Sequence, residues 1–360
     1  MVEIKGEILP VLEQIEQIHK LSREEIIKTI ESSITNAGIK FFGSGYKIVT
    51  EIDIGNVEIK TYMIKKVVDV VNNDKQEISL EEAKNIKSDA KIGEEIKILL
   101  DNESFLRIAA QSAKKALTQK IRESFKKNIY EEYSSKIGEI VSGNVYAIRG
   151  KTIILDLGKV EGILPQREQV FKENFKVGQI IKVLIKDIEK TSKGINVIVS
   201  RFDKNFILKL FETEIPEIKE GVIEIVKIVR AAGYRTKILL KSNNPKVDPV
   251  GSCVGVRGAR IKPIINELRG EKIDLIPYTE DISKLIEYSL SPWKPKKVEI
   301  IDEQKKQAKA YLPKSLYNTI GNKNNLNLNL AKELTGWDIK LEPLQETTES
   351  TENKNETETR

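Results

Sequence analysis

The first pattern of apolar and polar residues in the chain predicts a helix that begins with a capping box. In the segment Leu21-Ser22-Arg23-Glu24-Glu25, Ser22 can cap the helix and Glu25 can reach back to the Ser22 amide. Apolar residues then recur at helical spacing, at Ile26, Ile27, Ile30 and Ile34. The pattern predicts a helix that runs to about Gly38.

The pattern then alternates as in strands and later becomes helical again. Residues Tyr46–Ile54 and Asn56–Val71 alternate around a Gly-Asn pair, which predicts a hairpin, and another strand is expected at Glu95–Leu100.

A helix is predicted from Glu103 to about Tyr133, because apolar residues recur at every fourth position. They are Phe105, Ala109, Ala113, Leu117, Ile121, Phe125, Ile129 and Tyr133. Each four-residue step overshoots a turn by about 40°, so the stripe winds around the helix and its two ends face different neighbours. We expect this helix to leave the first domain and reach toward the second.

Five short strands are predicted in the next part of the chain. They are Glu139–Ile148, Thr152–Leu157, Val160–Leu164, Gln179–Ile188 and Ile195–Ser200. Their close spacing, with glycines at ends and bends, is typical of a small Greek-key barrel of the OB type. Such barrels bind single-stranded nucleic acid through aromatic platforms and basic flanks.

Three residues of this barrel are candidates for binding RNA: Tyr146, Arg149 and Lys151. For Tyr146, packing within the barrel and stacking on a base remain equally open. Phe171 and Phe175 lie in a connecting segment, and plugging the barrel is the alternative role for both.

The most informative motif is G-x-x-G at Gly255-Val256-Arg257-Gly258. Two glycines let the backbone approach phosphates closely, and such a loop in KH modules clamps about four nucleotides. A bare G-x-x-G also occurs in ordinary tight turns, but here two β-rich runs precede it and another strand follows. We therefore predict an RNA-binding KH module. Its candidate contacts are Gly255, Val256, Arg257, Gly258, Arg260 and Lys262.

A second copy of this module is expected downstream. A helix at Asp281–Leu290 and strands near Val298 and Ala308 lead to a loop, and the following AKELTGWDIKL repeats the ending INELRGEKIDL of the first copy. The candidate RNA contacts of this loop are Gly321, Asn322, Lys323 and Asn324. Asn324 stands where a glycine would complete the motif; it tolerates left-handed backbone angles, but its side chain obstructs close phosphate approach. This copy is expected to bind RNA more weakly, or to serve mainly as a packing partner.

Composition excludes several classes of protein. The chain has 360 residues, 39% of them hydrophobic, which suits two to four domains, and no apolar run approaches membrane-spanning length. Acids interrupt the apolar pattern of the amino terminus, so we predict no secretory signal and a cytoplasmic protein.

The single cysteine, Cys253, and the single histidine, His19, provide neither a zinc site nor a Cys–His pair. We expect Cys253 to be buried, His19 to lie on the surface, and no catalytic residue, metal or cofactor.

The net charge of +6 is unevenly distributed. Residues 201–340 carry 26 basic and 18 acidic residues, while the last twenty residues carry six acids and two bases. The positive excess therefore coincides with the predicted RNA-binding modules. The carboxy-terminal segment is rich in Thr, Glu and Asn without a hydrophobic stripe, so disorder is expected there.

Five segments of the chain are distinctive: Phe105–Lys120 (FLRIAAQSAKKALTQK), Ser200-Arg201, Leu210–Ile218, Asp248–Tyr278 and Leu334–Trp337. Together with the order of the modules, they resemble the NusA family of bacterial transcription factors. The resemblance extends to about residue 341, and the motif DPVGSCVGVRGARIKPIINELRGEKID is long and highly specific. Besides Asn324 in the second loop, two positions depart from the family: Leu106 replaces a usual glycine, and Pro263 falls within the first turns of the helix after the first loop.

The resemblance implies a multidomain α+β fold. Residues 1–133 would form an α/β N-terminal domain with a long helix that binds RNA polymerase, and residues 134–201 an S1-type OB barrel. Two tandem KH domains would follow at residues 202–278 and 279–343, with a disordered tail at residues 344–360.

The resemblance also implies a non-catalytic function in transcription. The N-terminal domain would dock on RNA polymerase near the RNA exit channel, and the other modules would bind nascent single-stranded RNA and hairpins. The protein would then slow elongation, stabilise hairpin pauses, promote intrinsic termination and join antitermination assemblies with other Nus-type factors. We expect a monomer that does not associate with membranes.

The basic residues of the family's long helix map onto Arg107 and Lys114, with Gln111 between them. At about 100° per residue all three share one helix face, which is the candidate polymerase contact. The alternative is an ordinary solvated stripe.

Two other functions remain open. Phosphorolytic exoribonucleases also combine KH and S1-type modules, but there these modules follow catalytic domains, for which this chain has no room, and it has no P-loop. A binding module for ribosome assembly or translation would be compatible with the RNA-binding modules alone. The likeness of the first domain to a polymerase-docking domain argues against it.

Overall fold

The computed structural model describes residues 8–53, 58–191, 194–320 and 325–344. The chain divides into two compact units, Met1–Glu132 and Tyr133–Arg360. Within the described ranges, no helix is both long enough and apolar enough to cross a membrane.

The first unit combines helices with a four-stranded sheet. Its elements are α1 (Ile8–His19), α2 (Arg23–Phe42), β1 (Lys47–Asp53), β2 (Glu58–Val68), β3 (Glu77–Ser79), α3 (Leu80–Ile86), β4 (Glu95–Leu99) and α4 (Glu103–Ser134), whose last two residues belong to the second unit. Strand β2 is central, because it pairs antiparallel with β1 and β4 and parallel with β3. The predicted hairpin is β1–β2, and the Gly55-Asn56 pair predicted at its turn lies outside the described residues.

The capping box of α2 forms as predicted. The Glu25 amide donates to the Ser22 hydroxyl at 3.2 Å, and the Ser22 amide donates to the Glu25 carboxylate at 3.2 Å. The helix continues past Gly38 to Phe42, whose ring lies 5.4 Å from the ring of Phe105 on α4. Packing against α4 therefore extends this helix by one turn.

The apolar stripe of α4 is most deeply buried at its two ends. Phe105 and Ala109 are buried, as are Ile129 and Tyr133, whereas Phe125 is 47% exposed. Ala113, Leu117 and Ile121, between these ends, are partly buried, and the winding of the stripe around the helix stays a prediction. Leu106 is 43% exposed, so its side chain is accommodated where the family usually has glycine.

The second unit begins with a closed five-stranded barrel, as predicted. Its strands are β5 (Ile140–Arg149), β6 (Thr152–Asp156), β7 (Glu161–Leu164), β8 (Ile180–Lys190) and β9 (Ile195–Ser200). They close in the order β5-β6-β7-β9-β8. A Cβ atom on Gly143 would lie 2.7 Å from the Leu157 side chain, and one on Gly162 would lie 3.0 Å from it. The absence of a side chain at these two positions makes room for Leu157.

The first α/β module follows the barrel. Its elements are α5 (Lys204–Glu214), α6 (Pro216–Lys219), β10 (Ile223–Ala231), β11 (Arg235–Ser242), α7 (Pro249–Val254), α8 (Ile261–Glu267) and β12 (Lys272–Pro277). Strand β11 pairs antiparallel with β10 and parallel with β12. Its helices bury Phe206, Phe211 and Ile264 against Ile238 and Leu240 of the sheet.

The second α/β module repeats this topology, which confirms the predicted duplication. Its elements are α9 (Ile282–Ser289), β13 (Lys297–Asp302), β14 (Gln307–Leu312), α10 (Lys314–Ile320), α11 (Leu326–Thr335) and β15 (Asp338–Pro343). Strand β14 again pairs antiparallel with the preceding strand and parallel with the last.

The two α/β modules share a hydrophobic cluster. Leu285 of α9 and Leu330 and Leu334 of α11 pack on the sheet of the first module. The sheet contributes Val229, Leu239 and Ile276. The sheet of the first module is therefore covered on both faces, by its own helices and by those of the second module.

Candidate nucleic-acid interface

The Gly255–Gly258 loop joins α7 to α8. Helix α7 begins at Pro249, and the Asp248 side chain caps it by accepting hydrogen bonds from the amides of Val250 and Gly251. The backbone then turns through left-handed angles, with φ of +71° at Gly255, +52° at Arg257 and +78° at Gly258. Because glycine adopts such angles without a steric cost, the two glycines suit this turn.

Gly255 is also required by a close contact. A Cβ atom there would lie 2.9 Å from Cγ of Arg260, whereas one on Gly258 would lie 3.4 Å from the nearest atom of Lys262. The stem of the Arg260 side chain therefore packs directly on the Gly255 backbone.

The guanidinium of Arg260 links the loop to the body of the module. It donates to the Glu217 carboxylate at 2.8 and 2.9 Å and to the Ser252 carbonyl at 2.9 Å. The hydrogen bond from Arg260 lowers the pKa of Glu217. Among the predicted RNA contacts that the structure describes, Arg260 is thus the one whose charge has a carboxylate partner.

The other predicted residues of the loop face solvent. Val256 is 84% exposed, and Arg257 and Lys262 are exposed as well. Pro263 is the third residue of α8, where its missing amide would have no partner within the helix. The loop therefore presents an exposed apolar residue close in sequence to exposed cations, which suits a ribose-phosphate backbone.

The loop predicted in the second module, Gly321, Asn322, Lys323 and Asn324, lies outside the described residues. The helices that flank it, α10 and α11, have the positions that α7 and α8 have in the first module.

The predicted barrel residues lie on the barrel exterior. Tyr146 on β5 is 62% exposed, and Arg149 and Lys151 are exposed at the turn between β5 and β6. Exposure of the Tyr146 ring favours stacking over packing in the barrel core. Lys151 also takes part in the fold, because its carbonyl accepts a hydrogen bond from the Gln169 side chain at 2.8 Å.

The two phenylalanines of the connecting segment have different environments. Phe175 is buried, with the guanidinium carbon of Arg201 5.3 Å from its ring centre and that of Arg269 4.5 Å from it. Phe171 is 90% exposed. The prediction that Phe171 plugs the barrel is therefore wrong. The neighbouring residue Val170 is buried in its place.

The three predicted residues of α4 are exposed on one side of the helix. Arg107, Gln111 and Lys114 all face solvent. Gln111 and Lys114 line a surface depression together with Lys115, Thr118, Gln119 and Arg122. This side of α4 therefore offers a cationic, hydrogen-bonding surface to a partner.

The described residues show no cluster of metal ligands, and the single cysteine is buried. They contain no group of three or more His, Cys, Asp or Glu side chains that could hold a metal ion. Cys253 is fully buried, as expected, and burial, followed by the charge of Glu217, raises the pKa of its thiol to about 12. His19 is partly buried at the end of α1 and not on the surface as expected, since its carbonyl accepts hydrogen bonds from Ser124 and Asn128 of α4.

Sequence reasoning missed a buried ion-pair network between the barrel and the first α/β module. Arg201 is 1% exposed and donates to the carboxylates of Glu173 and Glu267 and to the Lys182 carbonyl. Burial alone would lower the pKa of Arg201, but these hydrogen bonds outweigh it and raise the pKa. About a third of all residues in the chain are charged, so a single arginine or glutamate gives no sign that it will be buried and paired with a distant partner.

A second part of the network is centred on Arg230. It donates to the Glu271 carboxylate at 2.9 Å and to the carbonyls of Arg201, Phe202 and Asp203. The barrel and the first α/β module are therefore joined by hydrogen-bonded, desolvated charges, whose disruption would leave buried charges unpaired.

Family models match four consecutive parts of the chain. They describe the NusA N-terminal domain at residues 7–127, the S1 RNA binding domain at residues 134–200, the NusA-like first KH domain at residues 201–278 and the NusA-like second KH domain at residues 282–349.

Similar proteins are named transcription termination/antitermination protein NusA. The protein of Bacillus subtilis is 37% identical over 338 residues, which cover 94% of this chain and 91% of that protein. The protein of Halalkalibacterium halodurans is 35% identical over 96% of this chain and 90% of its own length. The protein of Thermus thermophilus is 33% identical over 89% of this chain and 86% of its own length. With an S1 barrel, two KH modules and these relatives, the chain belongs to the NusA family.

Proposed function

We propose that this protein is a non-catalytic RNA-binding transcription factor that binds core RNA polymerase and the nascent transcript and modulates pausing, intrinsic termination and antitermination. The proposal rests on the Gly255–Gly258 loop, which exposes Val256 together with the neighbouring cations Arg257 and Lys262. The names of its relatives support the role in termination and antitermination.

The first unit supplies the polymerase contact in this proposal. The exposed side of α4 that carries Arg107, Gln111 and Lys114 would dock on the enzyme. Docking raises the local concentration of the RNA-binding modules beside the emerging transcript, so that weak RNA contacts become effective. The protein acts as a monomer in the cytoplasm, away from membranes, and joins other Nus-type factors in antitermination assemblies.

The second unit supplies the RNA contact. Arg257 and Lys262 would bind phosphates, and the backbone at Gly255 and Gly258 would approach them closely. Arg260 supports the loop through Glu217 and remains a predicted RNA contact. Affinity is then largely electrostatic and falls as salt rises, while bases held in the KH grooves provide selectivity.

In vitro transcription by the cognate polymerase on a template with a hairpin pause tests this function. The protein should lengthen the pause, and deletion of residues 1–133 should abolish the effect. An unchanged pause with intact RNA binding would point to a role away from transcription, such as ribosome assembly. A release assay on labelled RNA tests the absence of catalysis, because any product would indicate a ribonuclease.

A single substitution tests the loop. Gly258→Asp places a side chain at a φ of +78° and a negative charge beside Arg257 and Lys262, so RNA affinity should fall while polymerase binding is unchanged. The matched control is Gly221→Asp, which has the same kind of backbone strain at a φ of +74° in an exposed turn of the same module. Equal RNA affinities of the two variants would count against the loop.

A further inference from the structure

Phe171 lies on the surface where the barrel meets the first KH module. Of the large hydrophobic side chains in the described ranges, Phe171 is the most exposed, at 90%, followed by Val256 of the G-x-x-G loop, at 84%. The next residue, Lys172, places its ammonium 4.0 Å from the centre of the Tyr234 ring, on the turn between β10 and β11. An aromatic side chain that is open to solvent therefore stands beside a cation whose position is held by a second ring.

The backbone on both sides of Phe171 is anchored. Val170 and Phe175 are buried, and a Cβ atom on Gly233 would lie 2.6 Å from the Val170 side chain. The Glu173 carboxylate accepts hydrogen bonds from the buried Arg201. Arg269 donates to the Asn174 carbonyl at 2.8 Å. Phe171 is thus an exposed side chain on a well-packed segment of backbone. Because this backbone is already ordered, little conformational entropy is lost when a ligand binds there.

The charges of this surface have a consistent orientation. In the two segments that meet here, residues 166–176 and 267–274, every basic side chain is exposed: Arg167, Lys172, Lys176, Arg269 and Lys272. The acids of the same segments are turned inward into ion pairs: Glu168, Glu173, Glu267, Glu271 and Asp274. The surface around Phe171 is therefore cationic, and it favours a polyanion with flat, stackable groups over a protein surface.

This surface lies at the opposite end of α8 from the G-x-x-G loop. The loop immediately precedes α8, and Arg269 follows it. A helix of seven residues is about 10 Å long, so a single strand held by the loop needs only a few more nucleotides to reach Phe171.

We propose that Phe171 is a base-stacking platform that extends the RNA site of the first KH loop across the junction with the barrel. Its ligand is single-stranded RNA. Lys172, oriented by Tyr234, binds a phosphate of the stacked nucleotide. This inference rests on the proposed RNA-binding function and adds a subsite to it.

RNA length provides the test on the full chain. For an unstructured RNA of about twelve nucleotides, Phe171→Ala should weaken binding about 5- to 100-fold, as expected for the loss of one stacked base. For an RNA of about four nucleotides, which only fills the KH loop, the same variant should bind like the wild type. Phe171→Trp should retain the affinity for the long RNA, because the stacking surface is kept.

Salt dependence separates the two roles. Phe171→Ala should leave the slope of log K against log salt unchanged, whereas Lys172→Gln should reduce it by about one. The matched control is Phe125→Ala on α4, which removes another phenylalanine that is 47% exposed and should not change RNA affinity.

Three outcomes would overturn the inference. Equal affinities of the wild type and Phe171→Ala for the long RNA would show that no base stacks there. An equal loss with the short RNA would place the effect at the KH loop. Weaker binding to polymerase with unchanged RNA affinity would identify a protein-docking surface.

The two proposals can fail separately. If Gly258→Asp weakens RNA binding and Phe171→Ala does not, the proposed function stands and only the stacking platform is wrong. If the wild type binds no RNA, the proposed function itself is wrong.

Discussion

The two KH modules have the same topology but opposite environments on the outer faces of their sheets. The segments LRGEKIDLIP (residues 268–277) and LTGWDIKLEP (residues 334–343) align without a gap, and their strands pair in the same register. The outer positions of the first sheet include Val229, Lys237, Leu239, Asp274 and Ile276, and the matching positions of the second are Glu299, Lys309, Tyr311, Lys340 and Glu342.

The first outer face is covered by α9 and α11, whereas the second is polar and partly exposed. Leu239 and Ile276 pack against the helices of the second module, while Lys309 and Glu342 form an ion pair at 3.5 Å with more than a third of each side chain exposed. One topology therefore supports either a two-sided core or a solvated face. The second module therefore stabilises the first by covering this face, whatever its own affinity for RNA.

The largest difference is expected in thiol reactivity. Cys253 is buried with a pKa of about 12, whereas the matching residue of the second module, Thr319, is exposed. In the native protein at pH 8, Cys253 should react with a thiol reagent about 1,000-fold more slowly than Thr319→Cys introduced into a Cys253→Ala background. In urea the two thiols should react at the same rate. Comparable native rates would mean that the core of the first module opens readily.

The same thiol has a defined effect on stability. Because the folded pKa is raised from 9.0 to about 12, the neutral thiol contributes stability that is complete below about pH 9 and is lost as pH rises toward 12. The difference in free energy of unfolding between the wild type and Cys253→Ala should therefore shrink over that range. Urea unfolding at a series of pH values measures it, and a constant difference would contradict the assignment.

The next largest difference between the two modules is expected in the free energy of unfolding when Asp274 or its counterpart is replaced. The Asp274 carboxylate accepts a hydrogen bond from the buried Lys237 ammonium at 2.8 Å, and burial lowers the pKa of Lys237 despite this partner. Asp274→Ala leaves that cation buried without its carboxylate, so the free energy of unfolding should fall by about 3–5 kcal/mol. Lys340→Ala, at the matching exposed position, should change it by less than about 0.5 kcal/mol. Hydrogen exchange of the β11 and β14 amides measures both, and similar effects would remove the distinction between the two faces.

Leu239 tests the apolar part of the same interface. Leu239→Ala should cost about 2–5 kcal/mol through the cavity that it leaves between the two modules. Tyr311→Ala, at the matching position, should cost less than about 1 kcal/mol, because it removes one partly exposed ring and its hydrogen bond to Glu299. Urea unfolding followed by circular dichroism gives both values. A larger effect at Tyr311 would mean that the second outer face is also covered.

The smallest effect is expected at Lys227. Its ammonium donates to the carbonyls of Glu333 and Leu334 at the end of α11, where a cation also interacts favourably with the helix dipole. Lys227→Ala should lower hydrogen-exchange protection in the last turn of α11 by about 0.5–1 kcal/mol. Lys297→Ala, its exposed counterpart on β13, should leave the protection unchanged. An equal response would show that Lys227 does not link the two modules.

Much of the fold and part of the candidate site could be predicted from local patterns. The capping box at Ser22, the five barrel strands and the duplicated α/β module are each encoded by residues close together in the chain. The same holds for the Gly255–Gly258 loop, because two of its three residues with positive φ are the glycines themselves. Such signals need no knowledge of distant partners.

The partners of charged and aromatic residues could not be predicted in this way. Arg260 was predicted as an RNA contact from its nearness to the loop, but its carboxylate partner, Glu217, lies 43 residues earlier. Phe171 and Phe175 belong to the same segment and are the same residue type, yet one is exposed and the other buried. Their environments depend on the first KH module, which packs against the barrel.

Periodicity and glycine placement act over a few residues, so the order of the modules, their secondary structure and the Gly255–Gly258 loop could be read from the sequence alone. Three features could be seen only in the folded protein: which sheet face is covered, which carboxylates pair with the buried arginines and which aromatic ring is exposed to solvent. Each of these depends on contacts between residues tens of positions apart, which no local pattern of apolar and polar residues records.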